Sequence, residues 1–396
     1  MSDNKRVVVG LSGGVDSSVV AALLLEQGYE VHGVYLECYN TPGCRTDQDK
    51  KDALKVALKL GISFEVLDFR EEYKEKVIEY FYREYEAERT PNPDVMCNRE
   101  IKFGIFYDYA MENGFDYVAT GHYARIATYK ESPRRDLQGD SFKLSFKLQR
   151  ARDESKDQSY FLWQIPQDHL KHILFPLGEM LKSEVREKAR ELCLGTADKP
   201  DSMGICFMGE VNVSKLLEDR LGEKKGDVVL YPAGPDLVGH KIGEHRGLWF
   251  YTIGQRGGWE MDPKSQISNS LPAQAGQILK LGIDISNMPP LYVVGKDKKL
   301  NRLIVGKREE CYRNQFIVNS SWLMAEKKQT LWVRVRNLGE LVEVSSWRMV
   351  HGTWQVKTAK PIFALAEGQS AVFYDENGIM VGGGIIGACN IHKNVS

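Results

Sequence analysis

VVVGLSGGVDSSVVAALLL, residues 7–25, decides how the rest of the chain is read. Val7 to Gly10 is an apolar, β-branched run that predicts a buried strand. Ser12, Gly13, Gly14, Asp16, Ser17 and Ser18 predict a tight loop, and an apolar helix follows from about Val19 until the Gln27-Gly28 pair closes it. Adjacent glycines let backbone N–H groups approach a ligand without Cβ interference, and the helix N-terminus behind them carries partial positive charge. The stretch is an anion cradle whose natural occupant is a phosphate. It has neither the Lys of GxxxxGK[ST] nor the GxGxxG spacing, so it is neither a Walker A loop nor a dinucleotide fingerprint.

Outward from this stretch the pattern alternates. Tyr29 to Cys38 reads as a second buried strand, Asp49 to Leu60 as a helix capped by Gly61, Ser63 to Phe69 as a third strand and Glu71 to Glu88 as a long charged helix. Pro91, Asn92 and Pro93 break the pattern, and a short loop, PNPDVMCNREIKF, precedes a helix at Gly104 to Asn113 and a strand from Asp116, DYVATGHYA. Strands alternating with helices predict an α/β fold with a Rossmann-like parallel sheet, whose strand ends form one ligand-binding edge. Tyr129 to Asp140 is a polar hairpin tip before a strand at Lys143 to Arg150. From about Val211 the segments shorten and glycines multiply, predicting a small β-rich module with a polar insertion at Met261 to Met288. After Leu291, evenly spaced strands (LYVVGKD, RLIVGKR, QTLWVRVR, ELVEVSSW, WQVKTA, SAVFYDENGIMVGGGII) predict a closed C-terminal β-barrel. The expected division is 1–210, 211–308 and 309–396.

A chain of 396 residues with 27% charged and 42% apolar residues has the balance of a soluble multidomain protein. A net charge of −1 restricts any nucleic-acid surface to a local patch. Strand-like sequence begins almost at once and no apolar run reaches the roughly 18 residues of a membrane span, so the expectation is a cytoplasmic protein with no leader and no membrane partner. Seven irregularly spaced cysteines argue against a disulfide scaffold and leave thiols open to chemistry.

Two of those thiols stand out. Cys97 in TPNPDVMCNREIKF lies past the Pro-rich turn and close ahead of a helix, where the dipole, Arg99 and Lys102 are expected to favour its thiolate. Cys206 in KPDSMGICFMG lies on a loop between glycines that permit close approach of another chain. Together they are metal ligands, a disulfide, or a nucleophile and its resolving partner; the lack of CxxC spacing or a nearby His disfavours zinc. Cys38 and Cys44 lack further ligands and, with Cys193, Cys311 and Cys389, read as packing residues. His245, Arg246, Trp249 and Tyr251 read as the aromatic core of the small module rather than as an RNA face.

SGGVDSS resembles the pyrophosphate loop of ATP pyrophosphatases. Taken with TPNPDVMCNREIKF, ATGHYAR (residues 119–125), DESKDQSYFL (153–162), KPDSMGICF and GLWFYTIGQRGG (247–258), in this order and over nearly the full length, the chain resembles the tRNA-specific 2-thiouridylases, which replace O2 of the wobble uridine by sulfur. The resemblance implies a pyrophosphate-loop catalytic domain, a small central tRNA-binding module and a C-terminal barrel that grips tRNA. Met261 to Met288 is longer than the corresponding family segment.

The resemblance also implies roles. ATP, with Mg²⁺ but no protein metal site, is held by Gly10, Leu11, Ser12, Gly13, Gly14, Val15, Asp16 and Ser17, with Leu36 and Gly121, and adenylates the uracil carbonyl. Cys206 carries a persulfide sulfur delivered by a cysteine desulfurase or sulfur-relay protein, Cys97 is the second catalytic thiol, and Asp94 is the general acid/base or a base-positioning carboxylate. The two routes to C2, direct persulfide attack and release of sulfide by Cys97, both leave a Cys97–Cys206 disulfide. Asn92, Pro93 and Asp94 receive the flipped uridine. His122, Lys156, Asp157, Gln158, Arg334, Arg336 and Gln369 correspond to tRNA-contacting positions, the tRNAs being those with Lys, Glu and Gln anticodons. Arg334 and Arg336 alternate on a strand and are expected to share a phosphate-facing side. Val335 between them, where the family has tyrosine, and Glu367, where it has proline, depart from its pattern. The rival readings are a pyrophosphate-loop ligase that adenylates a small molecule and an RNA-binding protein with a relic ATP fold.

Overall fold

The computed structural model describes residues 4–39, 46–131, 143–201, 204, 206, 212–231, 239, 241–261, 289–324 and 329–387. β1 (Arg6–Gly10) is the middle strand of a five-stranded, wholly parallel sheet, ordered β3 (Ser63–Asp68), β2 (Glu30–Glu37), β1, β4 (Tyr117–Ala119) and β7 (Ile173–Leu174). The alternation along β1 shows why it must be apolar throughout. Val7 and Val9 pack with α1 (Val15–Glu26) and α2 (Thr46–Leu60), while Val8 packs on the other face with Tyr73, Val77 and Ile101. The chain leaves β1 toward β2 on one side and returns to β4 on the other. That switch point is where an open α/β sheet forms its ligand crevice.

Two local expectations are corrected. The first helix begins at Val15, not near Val19, so Asp16 and Ser17 sit in its first turn; the Ser17 and Ser18 hydroxyls donate to Gly14 O at 3.3 and 2.7 Å, which accommodates them there. The segment expected to be a loop before Gly104 is helical from Pro93. Asn92 caps it by accepting from Val95 N at 3.3 Å, and Pro93 occupies the first turn, where its missing N–H is harmless. Helix then runs through 93–112 with a kink at Gly104 (φ −106°, ψ −105°). Cys97 therefore lies within the helix and not ahead of it.

The strand expected from Asp116 is two strands. β4 ends at Ala119, and β5 (Ala124–Glu131) pairs antiparallel with β6 (Lys143–Arg150). Most of the polar tip lies outside the described residues, as do 262–288 of the insertion. A central sheet follows, ordered β10 (Glu260–Met261), β9 (Lys241–His245), β8 (Gly226–Leu230), β12 (Arg302–Gly306) and β11 (Tyr292–Asp297). LYVVGKD and RLIVGKR thus belong to this sheet and not to the barrel, because β12 pairs parallel to β8. Of the four residues expected in its core, His245 and Tyr251 are buried, beside Leu248, whereas Arg246 and Trp249 are only half-buried. The barrel closes in the order β13 (Tyr312–Leu323), β16 (Thr353–Phe363), β15 (Val342–Val350), β14 (Leu331–Arg334), β17 (Ser370–Tyr374), β18 (Met380–Ile386).

The barrel docks on the catalytic sheet through buried polar contacts. Asp157, fully buried, accepts from Arg334 Nη1 at 2.6 Å and from the amides of Ala151 and Ser159 at 3.1 and 3.2 Å. Arg336 lies beyond the end of β14, is exposed, and donates to the carbonyls of Phe363 and Ala364. The expectation that Arg334 and Arg336 share a phosphate-facing side is therefore corrected, and Asp157 and Arg334 are committed to each other. Cys193 is likewise exposed, in a positive-φ turn after a helix, and not a packing residue. Cys38 and Cys311 are buried; Cys44 and Cys389 lie outside the described residues.

Removing one member of a buried ion pair strands the other charge, at a cost of roughly 3–5 kcal/mol. Asp157→Ala is expected to lose about that much stability in urea unfolding. A residue serving RNA alone would leave the unfolding midpoint where it was.

Candidate active site

The glycines of the first loop are there because other atoms are too close for side chains. Gly13 has φ +74°, and a Cβ on it would meet Asp49 O at 2.2 Å. Lys199 fastens the same contact, its Nζ donating to Gly13 O at 2.9 Å, Asp49 at 2.7 Å and Asp52 at 2.8 Å. From the other side of the switch point, Gly121 approaches α1 so closely that a Cβ would lie 2.9 Å from Ser17 N. Asp16 accepts from Tyr123 Oη at 2.8 Å and from Lys182 Nζ at 2.7 Å. Asp201 gathers Lys156, Lys182 and Arg186 at 2.8, 3.0 and 2.6 Å. Burial opposes its charge, yet the bonds from Lys156 and Lys182 hold its carboxyl down at about 2. Gly10 to Ser17 thus form a tightly packed glycine loop running into a helix N-terminus, with Lys182 and Lys199 beside it, which suits a polyphosphate. Sequence reasoning missed Lys182 and Lys199. Lys199 stands inside the KPDSMGICF motif, but Lys182 carries no local signal.

The two distant thiols meet. Cys97 Sγ lies 3.6 Å from Cys206 Sγ. Asp94, one turn before Cys97, accepts from Cys206 N at 2.9 Å, and Tyr73 Oη donates to Cys206 O at 2.7 Å. Both backbone polar groups of Cys206 are therefore pinned. The expected thiolate at Cys97 is corrected: the side chain is fully buried, and burial, then the Cys206 sulfur, push its pKa well up. Arg99 gives it no help, being turned to Glu100 at 3.0 Å. The thiolate character belongs to Cys206, which is part-exposed; its pKa is lowered first by the bond from Cys97 and further by Lys102, against burial and Asp94. Burial raises the Asp94 carboxyl, partly offset by the Cys206 amide and Lys102.

Above Asp94 opens a pocket of about 330 Å³ walled by Phe81, Tyr85, Asn92, Pro93, Tyr160 and Phe161, with Gln369 of the barrel at its rim. Gln369 Nε2 donates to Thr90 O and Pro91 O at 3.1 and 2.8 Å, so the barrel sets the loop that leads into Asn92. Of the other expected residues, Leu36 is buried in the sheet core, and Gln158 accepts from Tyr123 N at 3.0 Å. His122 is buried between Thr120 Oγ1 at 2.7 Å and Lys102 Nζ at 3.3 Å, and burial and Lys102 hold it neutral. Lys156 is part-exposed beside Asp201. The structure therefore gathers the loop, Gly121, the thiols and Asn92 to Asp94 along one edge, and leaves Arg334 and Asp157 inside the barrel junction.

Three family models match the chain: tRNA methyl transferase HUP domain at residues 5–210, tRNA methyl transferase PRC-barrel domain at 214–268, and aminomethyltransferase beta-barrel domain at 313–386. The chain is 41% identical over 398 residues to tRNA-specific 2-thiouridylase MnmA of Streptococcus pyogenes serotype M1, covering 98% of this chain and 96% of that protein. It is 40% identical over 390 residues to the protein of the same name from Akkermansia muciniphila, covering 96% and 98%. The Listeria monocytogenes protein of that name is 41% identical over 392 residues, covering 96% and 94%.

Because a side chain at Gly13 has no room and the wrong φ, Gly13→Ala is expected to weaken ATP binding by at least about tenfold in calorimetry. Gly28→Ala, at a positive-φ turn with nothing within 4 Å of the added Cβ, is the control for backbone strain alone.

Proposed function

The chain belongs to the tRNA-specific 2-thiouridylase family and is a tRNA-uridine 2-sulfurtransferase, and we propose that it makes 2-thiouridine at the wobble position through Cys206 and Cys97. The observation that carries this assignment is the 3.6 Å approach of two sulfurs that stand far apart in sequence, beside a half-buried carboxylate and on the same sheet edge as the glycine loop. The family-model descriptions speak of methyl transfer and the relatives' names of thiolation; a paired thiol supports the second.

ATP supplies the adenylyl group that turns the uracil O2 into a leaving group. Gly10 to Ser17 and Gly121 would hold its phosphates, and Asp16, now bonded to Tyr123 and Lys182, would be the carboxylate nearest a Mg²⁺ that offsets their charge. Lys182 and Lys199 exchange carboxylate partners for phosphate oxygens. Asn92, Pro93 and the aromatic walls of the pocket take the uridine out of its stack, and Asp94 lies at the floor, placed for proton transfer. tRNAs with Lys, Glu and Gln anticodons are the substrates, gripped in part by Lys156 and Arg336.

Sulfur arrives from a protein persulfide. The Cys206 thiolate attacks the terminal sulfur of R–S–SH; that S–S bond breaks, R–S⁻ leaves, and Cys206–S–SH forms. In one route Cys97 attacks the Cys206 sulfur, hydrosulfide leaves, and it displaces AMP from C2. In the other the persulfide attacks C2 directly, and Cys97 then cleaves the S–S bond as AMP departs. Either way two thiol sulfurs supply two electrons, the product is a Cys97–Cys206 disulfide, and a dithiol reductant restores the pair.

Unmodified tRNA incubated with protein, ATP, Mg²⁺ and a persulfide donor, then analysed by nucleoside mass spectrometry, is expected to gain roughly 16 mass units at the wobble uridine, the difference between oxygen and sulfur. Cys206→Ser and Cys97→Ser are expected to abolish the gain. AMP release without thionucleoside in the wild type would support the small-molecule ligase, and the absence of both the relic RNA binder.

A further inference from the structure

Lys102 reaches the reacting sulfur from the helix that carries Cys97. Its ammonium lies 3.3 Å from His122 Nε2, and its charge acts on the neighbouring Cys206 sulfur, favouring the thiolate. On the far side of the ring, His122 Nδ1 is 2.7 Å from Thr120 Oγ1. The buried imidazole is neutral, so the hydrogen bonds assign Nε2 as acceptor from Lys102 and Nδ1–H as donor to Thr120. A neutral acceptor fixes the direction of the ammonium without cancelling its charge.

Resting on the assignment of Cys206 as sulfur acceptor, we propose that Lys102 is a positioning residue that keeps Cys206 as a thiolate, with His122 holding its ammonium in place. The groups that face Cys206 make this a local matter. The helix of 93–97 contributes Asp94, an anion that works against the thiolate, and Cys97, which donates to it; the end of β2 contributes Cys38, and the helix before Lys74 contributes the Tyr73 hydroxyl. Of these neighbours, Lys102 brings the positive charge. Its removal leaves a thiol beside Asp94 in surroundings that penalise ionisation.

The same placement gives His122 a purpose that its burial demands. Gly121 touches the first turn of α1, and the next residue orients Lys102 at the sulfur. The nucleotide cradle and the sulfur acceptor are thus set by adjacent residues of one short loop.

The test is the pH dependence of iodoacetamide alkylation at Cys206 in the full-length protein without ATP or tRNA, read peptide by peptide so that Cys97 is scored separately. The wild-type midpoint is expected below the ordinary thiol value of 9.0. Lys102→Met is expected to raise it by at least about one pH unit, which is a tenfold loss of thiolate near neutrality. Lys102→Arg keeps the charge and is expected to restore the low midpoint, while Arg99→Met, which removes an exposed cation nearby, is expected to leave it unchanged. His122→Asn is expected to move it part of the way. Superimposed profiles for wild type and Lys102→Met, or an equal shift in Arg99→Met, overturn the proposal. If Lys102→Met does not melt cooperatively, His122→Asn against Arg99→Met decides: a shift in the first alone supports it, and none in either overturns it. Failure of the wild type to form 2-thiouridine refutes the function and leaves the alkylation profile standing, so the two failures are told apart.

Discussion

The amide of Cys206 donating to the half-buried carboxylate of Asp94 is the contact on which the sulfur site depends. Cys206 comes from a segment more than a hundred residues beyond Cys97, and nothing in the local sequence of either forces them together. The bond fixes the backbone of Cys206, Tyr73 fixes its carbonyl, and the two sulfurs are left within a short movement of the roughly 2.05 Å of a disulfide. Asp94 can do this because Asn92 and Pro93 start a helix there, which aims the carboxylate out of the first turn. One residue thus serves both as the clamp that builds the thiol pair and as the carboxyl that faces the pocket.

The two thiols are chemically unequal for reasons of burial. Cys97 is enclosed and keeps its proton, which it donates to Cys206; Cys206 is part-exposed and takes negative charge from that bond and from Lys102. In the proposed reaction an incoming persulfide must reach the part-exposed sulfur, and the resolving thiol must wait until its neighbour has been loaded; the asymmetry would order those steps. A pair with equal thiolate character would be open to oxidation before any sulfur arrived.

What the sequence revealed and what it hid divide along the range of the interactions. The strand, glycines and helix of residues 7–25 are local, and their pattern was readable down to the anion cradle; only the helix start was displaced, because two serine hydroxyls fold back onto Gly14. The ionisation of Cys97 was misread because a dipole argument weighs the nearby chain, whereas the burial that decides it comes from β2, Tyr73 and Cys206. Arg334 looked like a phosphate ligand because its partner, Asp157, is contributed from 177 residues away. The strands at 292–306 were placed in the barrel because spacing reveals a strand but not the neighbour that takes its hydrogen bonds.

The barrel reaches the pocket through the same kind of long-range contacts. Thr90 N donates to Glu367 O at 2.8 Å, and the Gln369 amide holds the carbonyls of Thr90 and Pro91. Gly368, with φ +93° and no room for a Cβ beside Thr90 O, lets this turn come so close. The segment it grips is the one that enters Asn92, the cap of the helix bearing Asp94 and Cys97. A barrel displaced by a bound tRNA would therefore pull directly on the loop that shapes this pocket, through one backbone hydrogen bond and the two donated by the Gln369 side chain. Glu367 supplies its carbonyl to this grip, so its departure from the family's proline leaves the contact intact. The barrel meets the pocket wall through these contacts, while the buried Asp157–Arg334 pair ties it to the segment that follows β6.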